Sequence, residues 1–370
     1  MSIPTVLHIR GSDLYGSPER LIIGQMQHMP EIRSIAASFV RPGKPSQFLE
    51  ELTRLGLDHV AVDDRLKFDW RVVKQLRAIA TTRKIDLIVT HDYKSAVYGY
   101  LARRKLNVPQ VCYFHGWTRE DFRVRFYNLL DRMVLRRCDR VVTVSQASAQ
   151  RLIESGVSPN QISVVYNAIS LEPNALPPER QVHQVPVIGV VGRLSYEKGV
   201  HDILQALAQV HVRSTVKFAA RIFGSGPEEA RLKRMATELK LNDCVSFEGF
   251  RSDLDKIYPQ LDFLVMPSLS EGHPVVILEA WKHGLGIIAT RAGGIPEVVE
   301  HARTGWLTDV GRPDQLALAI EEALKDVASL NRLGRAGFEE VQTTYGFQTQ
   351  AARLEEIYRE VMRAKHETVA

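Results

Sequence analysis

Two glutamates with seven residues between them, Glu271 and Glu279, bracket the segment EGHPVVILE. Pro274 suits the first turn of a helix, which leaves Glu271 in a loop and places Glu279 on the helix. The unbonded N–H groups of a helix start, together with the macrodipole, make an anion site. Glu279 is surrounded in sequence by Val275, Val276, Ile277, Leu278 and Ala280. A carboxylate in apolar company needs hydrogen-bond donors, and a ribose diol offers two. Two plainer accounts stand beside this one. The carboxylate is favoured simply by the nearby helix start, or neighbouring backbone satisfies it.

A second segment, Gly189–Gly199 (GVVGRLSYEKG), reads as a buried strand running into a turn that offers Gly192, Arg193 and Lys198. At a strand's carboxyl end, Arg as a planar fork and Lys as a point charge suit a diphosphate. Two solvated surface cations are the alternative. A third segment, Ala289–Glu297 (ATRAGGIPE), places paired glycines after a strand, with Gly305 beyond. They allow backbone to approach a ligand closely, or they form a tight turn.

Other chemistries find little support. The nearest approach to GxGxxG, at Gly224-Ser-Gly226-Pro-Glu-Glu229, lacks the third glycine, which argues against a dinucleotide cofactor. Neither a GxxxxGK[ST] loop nor a GxSxG elbow occurs. Asp253-Leu-Asp255 has a metal-binding DxD pattern, but it lies in a helical stretch (DLDKIY), where a solvated face is the better account. The three cysteines, Cys112, Cys138 and Cys244, are isolated and lack a CxxC pair. They read as small hydrophobes in a reducing compartment rather than a disulfide framework or zinc site.

The elements that must position these residues alternate between short apolar runs and amphipathic stretches. Strands are expected at Thr5–Ile9, Ile35–Val40, Ile85–Thr90, Gln110–Phe114 and Arg140–Val144, with a helix from Pro18 to His28. Residues 169–186 hold Pro173, Pro177, Pro178 and Pro186, have no apolar period, and read as a linker. The rhythm restarts with Val187–Val191, then Lys217–Phe223, Val245–Phe247, Phe263–Met266 and Gly286–Thr290. Arg353–Arg363 reads as a terminal helix. This is an α/β pattern of two doubly wound, Rossmann-like domains, 1–168 and 187–349, facing each other across a cleft at the carboxyl ends of their strands.

At 370 residues the chain has room for two domains, and its 45% hydrophobic and 25% charged content is that of a globular protein. A net charge of +5, without a dense basic stripe interleaved with aromatics, gives no support to nucleic-acid binding. The N-terminus shows no signal-peptide pattern and no apolar run is long enough to span a bilayer, so the cytoplasm is the expected location.

Taken together, the three segments resemble family 4 of the retaining glycosyltransferases, which have the GT-B fold. The paired glutamates match the family's E-x7-E motif. Gly192-Arg193 through Lys198-Gly199 matches its G-R-x-x-x-x-K-G segment, and Gly293-Gly294-Ile-Pro296-Glu297 its G-G-x-P-E segment. In the first half, Gly11–Arg20 resembles the family's glycine loop and Tyr113-Phe-His115-Gly116 its HG segment. Thr143-Val-Ser145 and Val164-Val-Tyr-Asn167 are weaker matches, and the terminal helix, about 350–370, resembles one that crosses back onto the N-terminal domain. Three positions depart from the pattern. The glycine loop reads Gly16-Ser17-Pro18-Glu19 rather than G-G-x-E, His273 stands where Phe is common, and Asn167-Ala168 replaces Asn-Gly.

The resemblance implies a donor domain in the second half and an acceptor-side domain in the first. It implies transfer from a UDP- or GDP-sugar to a sugar or lipid-linked sugar acceptor, in cell-surface polysaccharide or glycolipid assembly. No metal or other cofactor is implied. Glu279 would bind the ribose. Glu271 would hold donor-sugar hydroxyls, helped by backbone at Gly272, His273 and Val275. Arg193 and Lys198 would serve the diphosphate side beside Gly192, and Arg251 would be a further substrate-binding residue. Gly16 and His115 would lie toward the acceptor, with His115 an orienting donor rather than a base, or else a satisfied core histidine. A nucleotide-sugar epimerase of the same fold and a non-catalytic nucleotide-sugar sensor are the rival functions.

The stretch Trp117–Cys138 carries Arg119, Arg123, Arg125, Arg132, Arg136 and Arg137, with Phe122, Phe126, Leu129, Leu130 and Met133 at helical spacing. Two readings stand: a core-packed helix with a solvated cationic face, or a peripheral contact with the inner face of the cytoplasmic membrane.

Overall fold

Apolar runs that are buried on both faces, such as QVCYF and GIIAT, form strands here, and the amphipathic stretches between them form the helices that cover those faces. The computed structural model describes residues 3–367 apart from 13–14, 67, 115, 117–121, 173–174 and 181, and the side chains of 122–128 and 366 also lie outside the description. The chain divides into two units. One is Met1–Ser170 with Phe347–Ala370, and the other is Leu171–Gly346.

The first unit is built on seven parallel strands: β1 (Thr5–Arg10), β2 (Arg33–Val40), β3 (His59–Asp63), β4 (Leu87–Thr90), β5 (Gln110–Phe114), β6 (Arg140–Thr143) and β7 (Ile162–Val164). Their order across the sheet is β3-β2-β1-β4-β5-β6-β7. The last helix of the chain, Phe347–Glu367, belongs to this unit. Its Leu354, Ile357, Tyr358 and Val361 pack with Val6, Leu87, Val89, Val111 and Val142 from the sheet. Gln350 fixes its start by donating to Tyr166 O at 2.7 Å. The helix lies so close to Ser17–His28 that a Cβ on Gly24 would stand 2.1 Å from the Phe347 ring.

The second unit repeats the plan with β8 (Val187–Val191), β9 (Ala219–Phe223), β10 (Val245–Gly249), β11 (Phe263–Met266), β12 (Gly286–Thr290) and β13 (Trp306–Thr308), in the order β10-β9-β8-β11-β12-β13. All its strand pairs are parallel.

The proline-bearing stretch does not stand apart as a linker. From Leu171 onward it groups with the second unit. Arg180 donates to His283 O at 3.0 Å and to Leu261 O, and the fully buried Asp262 carboxylate accepts from His183 N, His183 Nδ1 and Val187 N. A buried carboxylate needs that many donors, and here they clip the segment onto the sheet. The terminal helix begins at Phe347, ahead of both the Arg353 start read from the pattern and the start near 350 that the resemblance implies. Strands β3, β7 and β13 were not expected from the sequence. Among the described residues, no helix is long and apolar enough to cross a membrane.

Because the Gly24 position has no room for a side chain, Gly24→Val should lower unfolding free energy by about 1–3 kcal/mol, the usual cost of overpacking. A shift of the urea midpoint checks this.

Candidate active site

Strand β8 runs into the loop that carries Gly192, Arg193 and Lys198. Two glycines after β9 let the neighbouring loop lie directly on it. A Cβ on Gly224 would stand 1.8 Å from Gly192 O, and one on Gly226 would stand 2.3 Å from Leu194 O. Backbone bonds Gly192 N→Phe223 O and Leu194 N→Ser225 O, both 3.0 Å, close the contact. The glycine pair weighed as a partial dinucleotide fingerprint therefore serves loop-on-loop packing. Arg193 is exposed on this loop, and nothing among the described residues lies within 4 Å of the Cβ position of Gly192.

A single 3₁₀ turn, Tyr196–Lys198, follows and ends at Gly199 with φ +63°. A Cβ there would stand 2.0 Å from Pro267 O, so glycine alone lets this turn press against the loop after β11. Leu269 N donates to Glu197 O at 2.8 Å across the same junction. The consequence is an ion pair. Lys198 Nζ donates to Glu271 Oε1 at 2.6 Å, and Ser268 Oγ donates to the same oxygen at 2.8 Å. The Glu271 side chain is only 9% exposed.

The third segment braces Glu271 from behind. Gly293 has φ +54°, and a Cβ there would stand 2.0 Å from Glu271 O, to which Gly294 N donates at 3.2 Å. The close approach that the paired glycines allow is thus to the backbone of the first glutamate.

Pro274 lies one residue earlier than expected. It is the N-cap of the helix Val275–Lys282, and its own side chain, which has no acceptor atom, does not cap that end. The N–H groups of a helix start lack intrahelical partners. Gly272 and Val275 are half-buried beside it. Glu279 sits on the helix, half-buried, and accepts from Tyr258 Oη at 3.0 Å. His273 is turned into the interior against Tyr345, with ring centroids 5.2 Å apart. Burial lowers its pKa to about 3, so it is neutral at physiological pH.

Arg251 does not join this group in the structure. It is exposed and forks onto Asp253, both bonds at 2.8 Å. Asp255 is paired with His283 at 2.9 Å and Lys282 at 3.2 Å. Both carboxylates of the DxD pattern are engaged by cations of the chain itself. Among the described residues, one group of metal-ligand type does occur, His211, Asp243 and Cys244, with ligand atoms within 4.8 Å of one another. It precedes β10, at the amino edge of the sheet, whereas Glu271 follows the carboxyl end of β11.

In the first unit, Gly16 caps Ser17–His28, and its N–H donates to Glu19 Oε2 at 2.9 Å. Glu19 is almost fully buried and is paired with Arg10 Nε at 2.8 Å, while Arg10 also donates to His91 O. Gly11 N donates to Asp92 Oδ2 at 2.8 Å. The glycine loop is thus tied down at both ends, with Pro18 inside the first helical turn. His115 lies outside the described residues. The strand that leads to it carries Tyr113, buried and stacked on His91 at 4.7 Å, and His91 Nε2 is 3.1 Å from His8 Nδ1. Burial lowers the His8 pKa to about 4. Of the stretch Trp117–Cys138, residues 117–121 also lie outside the description. The helix Phe122–Leu135 buries Val134 and Leu135 and exposes Leu129 and Met133.

Sequence reasoning did not find Ser268 or Tyr258. Ser268 lies three residues before Glu271, in a run (PSLSE) with no pattern of its own. Tyr258 is 21 residues from its partner, too far for any spacing rule.

Two predictions follow from this geometry. Gly293→Ala should drive Glu271 out of place and lower the unfolding free energy by about 1–3 kcal/mol, the usual cost of overpacking, with the circular dichroism of the native state unchanged. The second concerns pH. His8 and His273 are neutral when folded, with pKa values of about 4 and 3 against an ordinary 6.5. The unfolded chain therefore binds more protons below pH 6.5. Stability should be full above that pH and fall as it drops toward 3–4, by up to about 1.4 kcal/mol per pH unit for each group. Urea titrations across pH 4–8 measure this, and His273→Leu should flatten the slope.

Comparison with known proteins bears on the whole chain. Residues 20–173 match the model of Glycosyltransferase Family 4, and residues 175–340 match that of Glycosyl transferases group 1. The N-acetyl-alpha-D-glucosaminyl L-malate synthase of Bacillus anthracis is 26% identical, covering 86% of this chain and 85% of its own. The amylovoran biosynthesis glycosyltransferase AmsK of Erwinia amylovora is 28% identical, covering 74% and 69%. Among solved structures, Anabaena HepE in complex with UDP and glucose superposes with a TM-score of 0.83 at 24% identity, covering 96% of this chain and 100% of that one. The two units therefore have the Rossmann-like architecture of GT-B, and the chain belongs to the family 4 glycosyltransferases.

Proposed function

We propose that the protein moves a sugar from a nucleoside-diphosphate sugar to an acceptor hydroxyl with retention of configuration, needs no metal, and works in cell-surface polysaccharide or glycolipid assembly. The observation that carries this reading is the Lys198–Glu271 pair, set between the Gly192 loop and the start of the helix Val275–Lys282. In glycosyl transfer, positive charge builds on the sugar ring while negative charge builds on the departing diphosphate. Lys198, Arg193 and the helix N–H groups supply positive potential for the leaving group. Glu271, its Oε1 held by Lys198 and Ser268, presents a fixed acceptor to sugar hydroxyls, and Glu279 serves the ribose. Gly16 and His115 are the acceptor-side residues of this reading.

In the proposed step, the bond from the anomeric carbon to the diphosphate oxygen breaks, and its electron pair stays with the phosphate. The acceptor oxygen bonds to the same face of that carbon and gives its proton to the departing phosphate oxygen. This uses no protein nucleophile. The complex of Anabaena HepE with UDP and glucose favours a UDP-linked donor, and the amylovoran role of AmsK favours a polysaccharide product.

Thermal stabilisation by UDP, GDP, ADP and NAD, compared between wild type and Glu279→Ala, tests the donor reading. One nucleoside diphosphate at about 100 times its Kd should stabilise by about 2.7 kcal/mol, worth several degrees in Tm, and the variant should lose most of that shift. Stabilisation by NAD alone, or an equal shift in Glu279→Ala, would overturn it.

A further inference from the structure

We propose that Tyr258 is a positioning residue for donor binding: its hydroxyl sets the rotation of the Glu279 carboxylate so that the remaining lone pairs face a vicinal diol. This rests on the reading of Glu279 as the ribose ligand.

The Tyr258 side chain is fully buried. A buried phenol must place its O–H on an acceptor, and Glu279 Oε2 at 3.0 Å is one. A hydrogen bond to an ionised carboxylate is among the stronger kinds. A carboxylate has about four acceptor positions, so the bond from Tyr258 to Oε2 is compatible with hydroxyls bound at the same group.

The phenol is itself held in place. It opens a 3₁₀ turn, Tyr258–Gln260, whose next residue is Pro259. Its ring stacks on His283 with centroids 5.5 Å apart and planes 26° from parallel. His283 is the C-cap of the Glu279 helix and stands four residues after Glu279, on the same face. Its Nε2 lies 2.9 Å from Asp255 Oδ1. The phenol therefore lies along that face, its ring against His283 and its hydroxyl at Glu279.

The test measures the Kd of UDP and of 2′-deoxy-UDP by calorimetry for wild type, Tyr258→Phe, Glu279→Ala and the double variant. Wild type should prefer UDP. Tyr258→Phe, which keeps the ring, should weaken UDP about tenfold and shrink the preference, and kcat at saturating donor should stay within about twofold. The double variant should bind no worse than Glu279→Ala, because the phenol acts through the glutamate. If Tyr258→Phe leaves UDP affinity and preference intact while Glu279→Ala loses both, the role of Tyr258 is refuted and the ribose reading survives. Equal weakening of both nucleotides in Tyr258→Phe, with preference kept, would mark a merely structural residue and refute it too. Loss of neither in Glu279→Ala would sink the ribose reading itself.

Discussion

A carboxylate largely withdrawn from water must be given donors, and in the second unit that requirement falls on Glu271. Lys198 and Ser268 meet it from two different loops, both bonds landing on Oε1. Lys198 can reach only because the turn that bears it lies flat against Pro267, and that contact tolerates no Cβ at Gly199. The loop after β8, the loop after β11 and the start of the helix Val275–Lys282 are thereby drawn to one place. The order of the sheet makes this possible. β8 and β11 are neighbours, so their carboxyl ends deliver both loops side by side, where open α/β sheets take their ligands.

Glycine does more of this work than charge. Four approaches, at Gly199, Gly224, Gly226 and Gly293, place a hypothetical Cβ within 2.3 Å of a carbonyl oxygen. Each joins two loops that follow different strands. The sequence motifs that look like phosphate-binding glycines are, in this geometry, the joints of a rigid frame. Rigid backbone is what holds an acceptor or cation where a developing charge will appear.

The strands most readable in the sequence were the central ones. VIGVV, FLVM and GIIAT were placed residue for residue, because strands covered on both faces carry unbroken apolar runs. The strands missed, His59–Asp63, Ile162–Val164 and Trp306–Thr308, are all at sheet edges. Edge strands are short or half-exposed, so their polar residues break the pattern. At the site, the glutamate pair, Lys198 and the helix start were legible because motif spacing is local. Arg251 was expected there but forks onto Asp253, two residues away, a local pairing that competes for the guanidinium. Ser268 and Tyr258 were illegible for the opposite reason, since their roles depend on where distant loops arrive.

The two glutamates, similar in sequence, are held by different means, and the difference has consequences. Glu271 sits in a loop, so its position depends on backbone contacts with Gly293 and Gly294 and on a partly exposed lysine. Glu279 sits on a helix whose apolar neighbours Ile277, Leu278, Ala280 and Trp281 are buried in the core. Its backbone is fixed by packing, and only the carboxylate's rotation remains to be set. A side-chain hydrogen bond suffices for that last degree of freedom, whereas a loop carboxylate needs its main chain fixed as well. Substitution around Glu271 should therefore be felt through glycines and backbone, and around Glu279 through side chains. On the proposed function, the sugar-holding end of the donor site is the less adaptable of the two, and nucleotide preference is the property that side-chain exchange can most readily tune.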